Sequence, residues 1–402
     1  MSSDLTLSAT AALGDIDPCG SRQAGRRSGV TLDGDGPVVG RADGTVAAFT
    51  HDGTERWTVD GTGSAVTLVS TGDGVLVGER SERGRIQCRS RNGKRRWQHD
   101  AADDVGGPTK DTRFFLPMVV DAAVGSDGTC FVAARRYERR NGGRGFESSV
   151  YAFARDGTLR WRYDADASPI GVAPLDEGDG VAVAYNRCPG GHDSGLVVLD
   201  DNGSERWTWD PKPGADRRVG DVAVADGSVV VTSHADYRGY RLTDGSVEWA
   251  VDLGRPQSDG GVYTYPNHVH ATASGAVFLT GNTFPQEGRE TDERHENEQT
   301  AFGYTPDGKR RWQAAVGGFA HEVGTDGERM LVPTAQHFRD CDPTVHGWTL
   351  FDVADGPVAA ASTDGVVTAA AVDGERGAVV EEPVRYHVDE TLRGEYSLRM
   401  LS

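Results

Sequence analysis

The 402-residue chain is 37% hydrophobic, enough for a sizeable core, and it lacks any apolar run approaching the roughly eighteen residues a membrane-spanning helix needs. Its 61 acidic against 42 basic residues leave a formal charge of −19, a field that repels phosphate backbones and anionic lipid, so neither nucleic acid nor membrane is an expected partner. Five cysteines, Cys19, Cys88, Cys130, Cys188 and Cys341, are odd in number and without CxxC spacing, which argues against a disulfide framework or a zinc ribbon and for a reducing cytoplasm.

Residues 1–27 read as partly irregular, with one strand-like segment from Leu5 to Leu13 and neither the basic end nor the apolar stretch of an export signal. The DGDG at Asp33 to Gly36 is turn chemistry, since no helix follows it to hold a phosphate. From there a turn whose glycine precedes a tryptophan by four residues recurs six times: Asp52-Gly53 to Trp57, Asn92-Gly93 to Trp97, Asp156-Gly157 to Trp161, Asn202-Gly203 to Trp207, Asp244-Gly245 to Trp249 and Asp307-Gly308 to Trp312. Strand-like runs such as TVAAFTH and LVVLD precede these turns and runs such as TERWTVD follow them, so each is a β-hairpin closed by residues that accept positive φ. A second pair of strands lies upstream of each hairpin, as around Asp73-Gly74, Asp226-Gly227 and Ser274-Gly275. The unit is a four-stranded antiparallel meander that cannot bury both faces alone and must stack on copies of itself.

A seventh copy, Gly347 to Ala361, keeps Asp355-Gly356 but has Ala360 in place of tryptophan. The tail then offers three strands in VVTAAAVDGERGAVVEEPV and EYSLRMLS. A fourth supplied by the N-terminus would complete an eighth blade by pairing the chain's two ends; seven blades with a loose tail is the alternative. The expected fold is all-β, a single β-propeller domain over residues 1–402.

VYAFARDGTLRW, LVVLDDNGSERW and YRLTDGSVEW resemble the PQQ-type propeller repeat of quinoprotein dehydrogenases and outer-membrane assembly propellers. The resemblance implies that the repeated tryptophan packs between neighbouring blades; a fully buried indole would remove about 200 Å² from water, roughly 5 kcal/mol before entropy. It also raises PQQ-dependent oxidation, but such enzymes carry adjacent cysteines, a calcium site and an export signal, and this sequence has no Cys-Cys pair, no identifiable calcium set and no such signal. PQQ is therefore not an expected cofactor. Four lysines (Lys94, Lys110, Lys212, Lys309) and 41 aspartates against 20 glutamates resemble the composition of haloarchaeal proteins, whose short hydrated carboxylates keep a chain soluble in salt.

Length variation falls in one class of connection, that between second and third strands or between blades: Asp100 to Phe115, Arg135 to Ser148, Asn186 to Gly195, Leu253 to Asn267, Asn282 to Gln299 and Gln336 to His346. These insertions are expected on one face. His268 and His270 before blade six, His321 before blade seven, and Asp221 and Asp121 in blades five and three are candidates to converge at a channel mouth, where imidazoles could hold zinc, copper, nickel or iron. His337 and His346 could add a ligand or a general base. The bland alternative is a hydrated channel lined by polar groups. Cys188 and Cys341 fall on inserted loops, with nothing to bring them together. Arg135, Arg136 and Tyr137, within RRYERRNGGRGF, read as a partner-docking loop, whereas GRETDERHENE, Gly288 to Glu298, reads as a solvated loop. The leading expectation is a monomeric, non-catalytic scaffold that binds a protein or small ligand on the looped face; the alternative is a hydrolase or lyase using a divalent metal at His268, His270 and His321.

Overall fold

The computed structural model describes residues 5–22, 25–110, 112–140, 142–176, 178–258, 260–288 and 291–402. Part of the Gly288 to Glu298 charge run, residues 289 and 290, lies outside them. The described strands form six four-stranded antiparallel sheets, one of eight strands and a two-stranded ribbon. The eight-stranded sheet is two meanders joined at a single pair, Met118 opposite Arg80.

The chain divides into two compact units, one of residues 1–79, 88–95 and 312–402 and the other of residues 80–87 and 96–311. In the first, the first meander (Gly29–Asp33, Gly36–Gly40, Val46–Phe49, Glu55–Val59) packs on the terminal sheet: Val30, Leu32, Val39 and Phe49 meet Ala369, Val380, Leu398 and Met400. The terminal sheet has the order Val366–Asp373, Arg376–Glu382, Ser397–Leu401, Leu7–Ala12. Its outermost strand comes from the N-terminus, Leu7 opposite Leu401 and Ala12 opposite Ser397, as the sequence led one to expect. The opposite face of that sheet meets Leu331, Trp348 and Leu350 of the seventh meander.

In the second unit the same stacking repeats. The third meander (Met118–Val124, Cys130–Arg140, Gly143–Phe153, Leu159–Ala165) shares a core with the fourth (Ser168–Pro174, Gly180–Arg187, Leu196–Asp200, Glu205–Trp209). The fourth shares one with the fifth (Val219–Ala225, Ser228–Ser233, Arg238–Thr243, Ser246–Asp252). The fifth in turn packs on the sixth, which begins with Val262–Thr272 and Gly275–Pro285. Second strands such as SVVVTS are buried along their length, and their apolar residues run consecutively rather than alternating because both faces are covered. Fourth strands such as ERWTW and LRWRYDA are exposed or half-buried along their length and carry the charge.

The constant spacing from turn to tryptophan has a geometric cause. In five of the six hairpins only the glycine has positive φ, between 79° and 89° except Gly308 at 78°, while Asp244 with Gly245 alone has both turn residues there. The other aspartates and asparagines act through their side chains, as where the Thr158 amide donates to Asp156 Oδ1 at 2.9 Å. A bulge after the turn then sets tryptophan opposite Ala48, Ala152, Val198 and Arg241 in successive registers. By the same register the seventh hairpin places Ala359 at the indole position, opposite Leu350, rather than Ala360, because its turn is closed by pairing Asp352 with Gly356.

Each indole lies on the turn glycine of the following repeat. A Cβ on Gly93 would meet Trp57 at 2.8 Å, on Gly157 Trp97 at 2.3 Å, on Gly203 Trp161 at 2.8 Å and on Gly308 Trp249 at 2.9 Å. The indole Nε1–H donates to a carbonyl of the same turn: Trp57 to Arg91 at 2.7 Å, Trp161 to Asp201 at 2.9 Å, Trp249 to Pro306 at 2.8 Å and Trp312 to Val353 at 3.1 Å. All six indoles are half-buried, not enclosed as expected from the sequence. Each therefore contributes about half the area-based figure, roughly 2–3 kcal/mol, with about 1 kcal/mol more where the indole makes such a hydrogen bond.

Candidate functional site: the looped end of the meanders

In an antiparallel meander the first-to-second and third-to-fourth turns share one end, and the second-to-third connection and the link to the next meander share the other. The lengthened connections at residues 188–195, 286–299 and 335–346 and the links at 101–117 and 253–261 all belong to the second class. Several are less loop-like than their composition suggests. Arg135 to Ser148 is the extended end of a hairpin paired from Cys130 with Phe153 to Arg140 with Gly143, and Leu253 to Asn267 runs into the strand that starts at Val262.

Asp121 and Asp221 tie neighbouring first strands together. Asp121 Oδ2 accepts from the Val172 amide at 2.8 Å, and Asp221 Oδ2 from the Val269 amide at 2.9 Å. Gly171 lets these strands approach, because a Cβ there would lie 3.0 Å from Asp221 Oδ1. His268 Nδ1 is 3.8 Å from Asp221 Oδ2, and His268 and His270, opposite Leu279 and Val277, project to one side of their strand. His321 lies in the other compact unit, its ring edge-on to Phe319 at 5.2 Å. Among the described residues, no group of three or more His, Cys, Asp and Glu side chains could hold a metal ion.

The remaining sequence candidates are held in internal contacts. His346 is buried; its Nδ1 donates to the Asp364 carbonyl at 2.9 Å, so its Nε2 accepts from the Tyr386 hydroxyl at 2.5 Å. Burial lowers its pKa, which keeps the ring neutral. His337 is buried as well and accepts from the Arg339 and Asp340 amides at 3.3 Å. Arg136, expected in a docking loop, is buried, donating to the Val105 carbonyl and to Glu138, both at 2.7 Å. Arg135 donates to Ser168 Oγ and lies 5.7 Å from the Phe146 ring. Tyr137 packs between Phe115 at 5.1 Å and Phe146 at 5.5 Å. Cys188 and Cys341 are free thiols. Cys19, also free, donates to buried Glu382 at 3.4 Å; burial, then Glu382, pushes its pKa up to about 12, which leaves it a poor nucleophile.

A cluster that sequence reasoning missed occupies the looped end of the second unit. Tyr237 stacks on Tyr263 at 4.4 Å, Tyr263 meets Tyr265 edge-on at 5.1 Å, and Phe284 lies 5.5 Å from Tyr265. The Arg217 guanidinium sits 4.8 Å from the Tyr265 ring centre. Tyr237 has φ +64°, rare for a bulky residue, and its carbonyl accepts from the Leu253 and Gly254 amides at 3.2 and 3.0 Å. On its other side Gly254 lies against the strand that carries Tyr263 and Tyr265, where a Cβ would be 2.2 Å from the Thr264 carbonyl oxygen. Phe284 is 37% exposed, and Phe114, on the link before the third meander, 67%. The Tyr-x-Tyr of VYTY within a lengthened connection was the available signal.

The chain matches the family model described as outer membrane protein assembly factor BamB over residues 20–142 and 146–329. It belongs to that PQQ-repeat family. Among curated proteins no sequence matches it. Solved structures similar to this BamB-family chain include BamB from Moraxella catarrhalis, at 13% identity and TM-score 0.57, covering 99% of this chain and 97% of that one. The C-terminal WD40 domain of Sif2 matches at 11% identity and TM-score 0.56, covering 99% and 96%. Sqt1 from Chaetomium thermophilum, solved bound to the N-terminus of a ribosomal protein, matches at 12% identity and TM-score 0.58, covering 96% and 99%. The shared fold is the β-propeller.

Proposed function

We propose that this BamB-family propeller is a non-catalytic scaffold that docks a protein partner on the looped end of its meanders. The observation that carries the reading is the concentration of solvent-facing aromatics there, Tyr237, Tyr263, Tyr265 and Phe284 in one cluster and Phe114 and Phe115 in another. Aromatic and arginine side chains are the anchors of protein interfaces. The turns at the other end, such as Asp156-Gly157 and Asp226-Gly227, are short and polar. A peptide bound by the similar propeller Sqt1 supports the same use of the fold, and the free thiols support a reducing, cytoplasmic setting. The adjacent cysteines of quinone-dependent propellers have no counterpart in this sequence, so no step is routed through PQQ. Affinity capture at native salt tests the proposal: Phe114→Ser with Phe284→Ser is expected to lose at least about tenfold of the specifically retained partner with unchanged melting. Equal retention by this double variant would refute docking on the looped end.

A further inference from the structure

Arginines surround the tyrosine cluster, and all but one have a carboxylate partner. Arg187 pairs with Asp216 at 2.5 Å, Arg218 with Asp210, Arg238 with Asp236 at 3.9 Å and Arg255 with Asp252 at 3.8 Å. Arg217 differs. Its Nη1 donates to Asn186 Oδ1 at 3.3 Å and one face of its plane lies over Tyr265. Among the described residues no carboxylate forms an ion pair with it. A guanidinium has five N–H donors, so most of this half-buried fork is left without an acceptor from the protein itself. Burial is the main influence against its charge, with the nearby Arg187 adding to it and Tyr265 and the more distant Asp216 offsetting it in part, a balance that an incoming anion in direct contact would improve.

We propose that Arg217 receives a carboxylate from an acidic peptide segment of a partner, and that the shelf of Tyr265, Tyr263, Tyr237 and Phe284 takes the apolar side chain beside it. This deepens the scaffold reading and rests on it. The planar fork matches a carboxylate in two-point contact. The shelf is assembled from the ends of three meanders: Asn186 closes a strand of the fourth, Arg217 and Tyr237 flank strands of the fifth, and Tyr263 and Phe284 belong to the sixth. Its aromatic members are half-buried to exposed, an open ledge that suits an extended chain segment. On a chain of charge −19 the general field opposes an acidic segment, so recognition must be local. The arginines already paired with aspartate offer no such point, and Arg217 does.

The probe is a fluorescein-labelled octapeptide containing Glu-Phe-Glu-Leu, with the Gln-Phe-Gln-Leu octapeptide as the neutral arm, each titrated into the full-length protein. The wild type is expected to bind the acidic peptide at least about tenfold tighter than the neutral one. Arg217→Gln is expected to abolish that difference, Arg217→Lys to keep part of it, and Arg311→Gln, at an exposed site on an outer strand, to leave it unchanged. Equal binding of both peptides by the wild type overturns the proposal, and this comparison needs no folded variant. Absence of binding by either peptide up to about millimolar concentration overturns it as well. A folded Arg217→Gln protein that keeps the acid preference does the same. If Arg217→Gln loses the peptide but the Phe114→Ser, Phe284→Ser double variant retains its native partner, the carboxylate site stands and the looped-end docking reading falls; the reverse outcome keeps docking and removes the site.

Discussion

His234 is buried between Asn186 and Pro266, its Nε2 donating to the Pro266 carbonyl at 3.0 Å and its Nδ1 accepting from the Asn186 amide at 2.8 Å. Gly220 makes the room, because a Cβ there would lie 2.4 Å from the imidazole. Burial, and then the neighbouring Arg217, lower the histidine pKa to about 3. An unfolded histidine titrates near 6.5, so the unfolded chain gains a proton first as pH falls. The stability this neutral ring contributes is complete above about pH 6.5 and is lost below it at up to about 1.4 kcal/mol per pH unit. Urea unfolding is expected to show the wild type losing about 2 kcal/mol more than His234→Gln between roughly pH 6.5 and pH 5; parallel losses would contradict the assignment. Such roles were invisible in sequence. Asp121 and Asp221 were legible as inward-placed carboxylates, but their bonds to Val172 and Val269 needed the stacked strands. The tyrosine cluster stayed hidden because its members meet only through three separate connections.

At the level of the hairpin, the glycine does two jobs that one substitution can separate. Gly157 has φ +89° and lies under Trp97, where a Cβ would be 2.3 Å from the indole, whereas Gly227 has φ +71° and open space around it. Gly227→Ala is expected to cost only the backbone strain, about 1 kcal/mol, and Gly157→Ala about 3 kcal/mol or more because the indole must move as well. Equal losses of stability in chemical unfolding would mean that the indole contact contributes nothing. The recurrence of glycine and tryptophan was readable from the chain because turn and bulge fix their separation. The alanine standing in for the seventh indole was misplaced by one residue, since that turn closes differently. The long hairpin ending at Arg140 and Gly143 was read as a loop because its charges and glycines mask continued strand pairing.

For the molecule as a whole, the charge of −19 acts on every strand at once. The carboxylates repel one another over about 10 Å at 0.1 M salt and over about 3 Å at 1 M. Melting temperature is expected to rise by on the order of 10 °C between about 0.1 M and about 3 M potassium chloride; a flat or falling curve in calorimetry would show that self-repulsion is not what limits this chain. The terminal sheet adds a constraint of a different kind. Its outer strand, Leu7–Ala12, is synthesised long before its partner, Ser397–Leu401, because every meander lies between them in the chain. The early segment must therefore wait, unpaired, while the intervening meanders are made. Until then Ala11 and Leu13 have no mates in Leu398 and Met400, so newborn chains depend on whatever shields that waiting strand.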